Sequence, residues 1–333
     1  MIPNPQTITK LEPSKTHQEI DLSVQLGRLR LKNPVMVASG TFGYAKEMSG
    51  VVDLRALGGI LPKTITRDAR PGNAPWRTVE VSAGLLNAIG LDNDGIDYFI
   101  ENHWPYLQST GADIVVSVAG KSHEDFVYLA QRLAPLGLFA LELNISCPNV
   151  SGGIDFGTDP QACFNVVSGV RAVIDSPILT KLTPNVTSIA QIAKAAYEAG
   201  TDAVTCINTV LGMAIDWRRR KPMLANTVGG VSGPAIKPIA LRCVHQVASA
   251  VPVPIVGVGG IATIDDVMEF LVAGASAIQI GTANYYDPMV STRLIEELPK
   301  AIHELGFRSA KECVRSLSLP SATTPAQKTS IPK

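Results

Sequence analysis

The sequence predicts a (β/α)8 TIM barrel, one domain with long loops at one mouth. Three observations predict it. Eight short apolar runs recur along the chain, and helical spacing fills most of the intervals between them. The runs read as continuous, predominantly apolar stretches rather than alternating ones, as parallel strands buried on both faces should. Polar residues and glycines gather where the runs end, at Ser39, Lys63-Thr64, Ser117, Asn144, Cys147, Lys181, Asn208-Thr209, Gly259-Gly260 and Gly281-Thr282. In a (β/α)8 barrel those carboxyl ends converge on one site.

Taken in order, residues 1–20 read as a mobile arm and 22–31, with Gly27 near the middle, as a small hairpin. The strands fall at 34–38, 59–63, 114–118, 139–146, 178–181, 203–207, 255–258 and 277–280. Helices are expected near 122–135, 160–175, 188–199, 236–250, 264–273, 289–304 and 309–317; Asp159-Pro160 supplies a cap and a first helical residue. Two long stretches, 64–93 and 210–235, carry prolines or glycines and read as loops, and loops of that length are uncommon unless functional. The barrel domain spans 21–318, and 319–333 is a flexible Ser/Thr/Pro tail.

Composition narrows the function. Of 333 residues 46% are hydrophobic, ample for one large core. Basic and acidic residues number 29 each, so no nucleic-acid or membrane partner is expected. There is no apolar run of spanning length and no leader-like stretch in the first twenty residues, which suggests a cytoplasmic protein. The five cysteines are an odd number without C-x-x-C spacing, which argues for reduced thiols and against zinc or iron–sulfur ligation on this chain.

The most informative stretch is 139–150. Phe139, Leu141, Leu143 and Ile145 share one strand face, Pro148 ends the ladder, and Ser151-Gly152-Gly153 opens a loop. Asn144, Ser146, Cys147 and Asn149 thus gather at a strand end, where amides can read the edge of a flat heterocycle. The thiol is open to three roles: nucleophile, acid–base group or packing. Gly257-x-Gly259-x-x-Ala262 has a dinucleotide-like spacing, but the next strand ends in Gly281-Thr282 and lacks the acidic ribose ligand. Amides of Gly259, Gly260, Gly281 and Thr282 instead fit the phosphate cradle that barrels build after strands seven and eight. Lys63 and Lys181 end strands and could form a Schiff base, meet a phosphate, stabilise a reduced ring or snorkel to solvent. None of His17, His103, His123, His245 and His303 ends a strand, so neither a histidine base nor a metal site is expected. Arg218-Arg219-Arg220 reads as a solvated loop face.

Several motifs together resemble class 1 dihydroorotate dehydrogenases. They are Asn144-Ile145-Ser146-Cys147-Pro148-Asn149-Val150, Asn87-Ala88-Ile89-Gly90-Leu91, Lys63-Thr64, the run 207–216 opening Ile207-Asn208-Thr209, and the run 229–238 containing Gly233-Pro234. The resemblance covers about 20–305, and the last two runs look most like class 1B. It implies one FMN per chain, held by Ser39, Lys63, Thr64, Ser117, Asn144, Lys181, Ile207, Gly233, Gly259, Gly260, Gly281 and Thr282. Ser117 departs from the asparagine common in the family. Substrate residues implied are Lys63, Asn87, Ala88, Ile89, Gly90, Leu91, Asn144, Asn149, Asn208 and Thr209. Cys147 is implied as the base that takes the proton from carbon 5 of dihydroorotate while hydride leaves carbon 6 for the flavin, giving orotate in pyrimidine biosynthesis. Class 1B further implies a homodimer or a heterotetramer with a subunit that carries FAD and a 2Fe–2S cluster and passes electrons to NAD. The rival readings are a fumarate-dependent class 1A enzyme, a related dihydropyrimidine dehydrogenase, a phosphosugar lyase or isomerase using a lysine Schiff base, and a non-catalytic flavin-binding subunit.

Overall fold

A computed structural model describes residues 20–146 and 156–319. Apart from Ile20 and Leu319, the expected arm and tail lie outside the described residues. The barrel strands are β1 Val35–Val37, β2 Gly59–Ile60, β3 Val115–Val118, β4 Ala140–Asn144, β5 Ile178–Leu182, β6 Ala203–Cys206, β7 Ile255–Val258 and β8 Ala277–Ile280. They form one parallel sheet in the order β2-β1-β8-β7-β6-β5-β4-β3, which is chain order around a ring. Ile60 closes the ring by bridging Ile114, its N–H donating to the Asp113 carbonyl at 2.8 Å. All eight strands fall where continuous apolar runs place them, and every residue of β1 to β8 is buried.

Helices pack outside the ring through apolar faces. His123–Leu133 buries Phe126, Leu129, Ala130 and Leu133, a spacing of three and four that forms one helical stripe. Its N-cap Ser122 accepts from the Asp125 N–H. Pro160–Arg171 starts on Asp159, whose carboxylate accepts from the Ala162 N–H at 2.6 Å, and stops before the expected residue 175. Thr263 and Asp266 form a capping box on Ile264–Ala273. Ile189–Glu198, Lys237–Ala250 and Val290–Glu304 complete the series, while the helix expected over 309–317 shortens to Ala310–Cys313. Among the described residues no helix is long and apolar enough to cross a membrane.

The long stretches are not plain loops. Val210–Met213, Val228–Ser232, Gly84–Asn87 and Thr78–Val81 pair antiparallel, in that order, as a four-stranded sheet. Between β2 and β3 the chain is helical in three pieces, Gly95–Tyr98, a π turn Phe99–His103 and Trp104–Ser109; β1 is followed only by the 3-10 turns Lys46–Met48 and Leu54–Ala56.

The hairpin Val24–Leu26 and Leu29–Leu31 lies against the amino ends of the strands. At its turn Gly27 has φ +58°, and a Cβ there would stand 2.7 Å from the Asp202 carbonyl oxygen. Asp202 immediately precedes β6 and is buried; Arg28 Nε donates to it at 2.8 Å, Arg171 Nη2 at 3.1 Å and the Ile178 N–H at 2.9 Å. Burial alone would raise this carboxyl, but the Arg28 side chain and the Ile178 and Arg28 N–H groups outweigh it and hold it below its ordinary range. A carboxyl depressed on folding contributes its stability above its unfolded value and loses it as pH falls through the folded one. Asp202→Asn should therefore lower the urea stability by about 2 kcal/mol at neutral pH, discounted from a fully buried pair because Arg28 is half exposed. The gap between the two proteins should narrow below about pH 4. A gap that stays constant into acid would show that the charge contributes nothing.

Candidate active site

The carboxyl ends of the strands surround a cavity of about 820 Å³. Ser39, Lys63, Thr64, Asn87, Ile89, Gly90 and Leu91 line it, with Asn144, Lys181, Ile207, Asn208, Thr209, Gly233, Gly259, Gly260, Gly281 and Thr282. Two expected residues stand back from it. Ser117 is fully buried with its hydroxyl 2.9 Å from Thr64 Oγ1, so it reaches the cavity through Thr64. Ala88 is buried in a small separate core with Leu86 and Leu224; its N–H donates to Arg77 and its carbonyl accepts from Asn73. Cys147 and Asn149 lie outside the described residues.

The amides are fixed before any ligand arrives. Ser146 Oγ donates to Asn144 Oδ1 at 2.9 Å and accepts from Asn208 Nδ2 at 2.7 Å, so one hydroxyl couples the two carboxamides across β4 and the end of β6. The Thr209 N–H donates to Asn208 Oδ1 at 2.8 Å, and Asn185 holds the Thr209 carbonyl at 3.1 Å. Asn87 Nδ2 donates to the Gly230 carbonyl at 3.3 Å. Gly230 must lack a side chain, since a Cβ would stand 2.0 Å from Thr209 Oγ1.

The glycines divide into two kinds. Gly259 at φ +131° and Gly260 at φ +79° occupy backbone conformations that other residues avoid, and a Cβ on either would meet helix Lys237–Ala250 at under 3.0 Å. Gly281 has no such φ, and its nearest neighbour would be Ala38 Cβ at 3.6 Å. The fold has room for a side chain there; what the glycine keeps open is the cavity. Thr282 Oγ1 beside it donates to Ser232 Oγ at 2.7 Å.

Lys181 is buried at the end of β5, and Lys63 lines the same cavity; neither ammonium forms an ion pair among the described residues. An unpaired buried cation is costly unless a ligand supplies the anion or electron-rich edge it lacks. The described cysteines contribute nothing here. Burial pushes the Cys163 thiol up to about 12 and Cys313 up to about 11, and raises Cys206 and Cys243 as well, so all four remain protonated packing groups.

Ser232, Arg77 and Asp92 also line the cavity, and Arg77 Nη1 pairs with Asp92 at 2.9 Å. Ser146 had a readable signal, two positions after Asn144 on the same strand face. Ser232 and Arg77 had none, because their place depends on the pairing of the four-stranded sheet.

A cavity at the carboxyl mouth, glycines after β7 and β8, two lysines without an ion pair among the described residues and a fixed set of amides give a (β/α)8 barrel with its candidate site where such barrels carry theirs. The model of one family, Dihydroorotate dehydrogenase, matches residues 21–302. The chain belongs to the dihydroorotate dehydrogenase family and is an oxidoreductase. It is 48% identical to a protein of Geotalea uraniireducens over 89% of this chain and 98% of that one. It is 47% identical to one of Geobacter sulfurreducens, over 91% and 100%. With one of Bacteroides thetaiotaomicron the identity is 48%, over 90% and 99%. All three are named "Dihydroorotate dehydrogenase B (NAD(+)), catalytic subunit", the class that the runs 207–216 and 229–238 resemble.

The two kinds of glycine should separate on thermal melting. Gly259→Ala should destabilise by about 1–3 kcal/mol through backbone strain and overpacking. Gly281→Ala should stay within about 0.5 kcal/mol of the parent, like an unstrained surface change. Equal losses would mean that Gly281 too serves the fold.

Proposed function

We propose that this chain is the FMN-containing catalytic subunit of a B-type dihydroorotate dehydrogenase, oxidising (S)-dihydroorotate to orotate in the cytoplasm. The observation that carries the reading is the joint presence, in one cavity, of a glycine cradle, the two unpaired lysines and the coupled amides of Asn144 and Asn208. FMN fits these residues: its phosphate suits the amides of Gly259, Gly260, Gly281 and Thr282 with Gly233 nearby, and its ring suits Ser39, Thr64, Asn144, Ile207 and Lys181. Gly281, whose missing side chain leaves the cavity clear rather than relieving the fold, favours a bound group at that place. When bound, FMN supplies the hydride acceptor.

The residues of the chain do the rest. Asn87, Asn144, Asn149, Asn208 and Thr209 hold the pyrimidine edge, since each amide offers donors and an acceptor. Lys63 and the amides of Ile89, Gly90 and Leu91 take the carboxylate. Fixing the substrate in this way orients carbon 5 toward the base and carbon 6 toward the acceptor. Lys181 places positive charge where negative charge accumulates on reduction. Cys147 takes the proton from carbon 5, a role that the four described thiols, raised by burial, are poorly suited to.

The B-type name of the relatives, NAD(+)-linked and a catalytic subunit, supports a second chain as the route to NAD. On this reading that partner holds FAD and a 2Fe–2S cluster, within a heterotetramer built on a homodimer of this chain. An exposed apolar row supports such contacts: Leu211, Met213, Ile215 and Trp217 alternate outward along one edge of the mouth.

Two measurements test the reading. Cys147→Ser should keep FMN and bind orotate, yet on anaerobic mixing with dihydroorotate its flavin absorbance should bleach about 10²- to 10⁴-fold more slowly, with the residual rate climbing with pH. Near-normal bleaching at neutral pH would remove Cys147 from the chemistry, and a parent protein that does not bleach would remove dihydroorotate. In steady state the isolated chain should reduce artificial dyes but not NAD, and NAD reduction should appear on adding the partner subunit. Brisk reduction of fumarate by the chain alone would make it the A type.

A further inference from the structure

Glu142 lies inside the barrel, fully buried, two residues before Asn144 on β4 and on the same face of the strand. Its Oε2 accepts from Gln279 Nε2 at 2.7 Å and from Thr205 Oγ1 at 3.0 Å. Gln279 is on β8 and Thr205 on β6, so the cluster crosses the barrel interior. Two side-chain atoms of the cluster have no partner: Glu142 Oε1 and Gln279 Oε1, both acceptors and both buried. Glu142 makes no ion pair among the described residues. Its strand register neighbours are Ser117 and Leu179, which carry no charge. The cations of the interior, Lys181 and Lys63, sit at or beyond the carboxyl ends of their strands.

A carboxylic acid beside a primary amide makes two hydrogen bonds when it carries its proton. The amide N–H donates to one acid oxygen, and the acid O–H donates to the amide oxygen. The structure shows the first of these bonds, and the two orphaned atoms are the pair that the second would join. An ionised Glu142 would instead leave both acceptors unmet and a charge buried without a counter-ion.

We propose that Glu142 is a neutral carboxylic acid whose proton is shared with Gln279, and that this neutrality leaves the Lys181 cation uncompensated and available to the cavity. Lys181 is in register with Asn144 on one side and with Thr205, a hydrogen-bond partner of Glu142, on the other. A carboxylate at Glu142 would draw the ammonium inward and cancel its charge. The protonated pair satisfies the interior with no charge of its own, so Glu142 acts as a positioning residue for Lys181. The second half of the proposal rests on the reading of the cavity as a flavin site; the first half does not.

The test therefore has two arms. The infrared spectrum of the full chain at mildly alkaline pH, with and without carboxyl-13C glutamate, should show one protonated-acid carbonyl band that shifts on labelling and is absent from Glu142→Gln. That arm needs no ligand, so it stands even where flavin fails to bind, and the labelled parent alone decides it where the variant fails to fold. A spectrum with no protonated glutamate overturns the proposal. In the second arm Glu142→Gln, neutral and nearly isosteric, should hold FMN within about threefold of the parent and leave the flavin midpoint potential and its pH profile in place. A tenfold or greater gain in FMN affinity, or a raised potential, would mean that a negative charge had been removed beside Lys181, and would also overturn it.

Discussion

The closure of the parallel ring at Ile60 is the constraint on which the rest of the molecule depends. β2 is two residues long, yet it must pair with β1 on one side and with the start of β3 on the other. Small residues allow this: a Cβ on Gly58 would stand 2.2 Å from the Asn33 carbonyl oxygen, and one on Gly59 would stand 2.8 Å from Met36 Cε. Beyond the strand the closure continues through the bridge of Ile65 to Val118. Lys63 and Thr64 lie between those two bridges, so closing the barrel is the same act that carries them into the cavity beside Ser117. A sheet left open at that seam would expose an unpaired edge and lose one wall of the site.

Charge is sorted along the barrel axis. At the amino ends Asp202 is met by two arginines and by backbone N–H groups, a satisfied network that serves folding. Arg28 is raised there by its hydrogen bonds to Asp202, whereas Arg171 is depressed first by its own burial and then by the charge of Arg28. At the carboxyl ends neither Lys63 nor Lys181 forms an ion pair among the described residues. The protein tolerates there an electrostatic cost that it avoids at the other end, which is the usual mark of a site waiting for its ligand.

The barrel itself was legible because a strand buried on both faces writes its position as an uninterrupted apolar run, as in Val35-Met36-Val37 or Ile255-Val256. The cavity was legible for a related reason, since polar residues at strand ends have little structural use. The four-stranded sheet was not. Thr78–Val81 alternates between exposed and half-buried residues, and Val228–Ser232 contains two glycines, so neither has the apolar content of a strand. Each becomes one only through pairing, Gly230 with Asn87 across 143 positions of chain. The helix between β2 and β3 was hidden by Pro105 and by the π turn that precedes it, which breaks the regular spacing. Glu142 and Gln279 were hidden in plain sight, inside runs otherwise apolar enough to be taken as strand and nothing more.

That small sheet has a consequence for how such a chain can be altered. The connections after β2 and after β6 interlock: Gly84 and Gly233 approach so closely that a Cβ on Gly233 would stand 2.9 Å from the Gly84 Cα, and one on Gly84 would stand 2.2 Å from the Ser232 carbonyl oxygen. Neither connection can be trimmed by itself, because deleting a residue from one shifts every rung it shares with the other and turns its side chains to the opposite face. The freedom to lengthen or shorten the chain at this mouth falls instead to residues 218–220, beyond Trp217 at the tip of the hairpin of Ile215–Asp216 with Lys221–Pro222, whose two strands pair only with each other. Redesign of this barrel would treat the two connections as a single inherited part and graft at that tip.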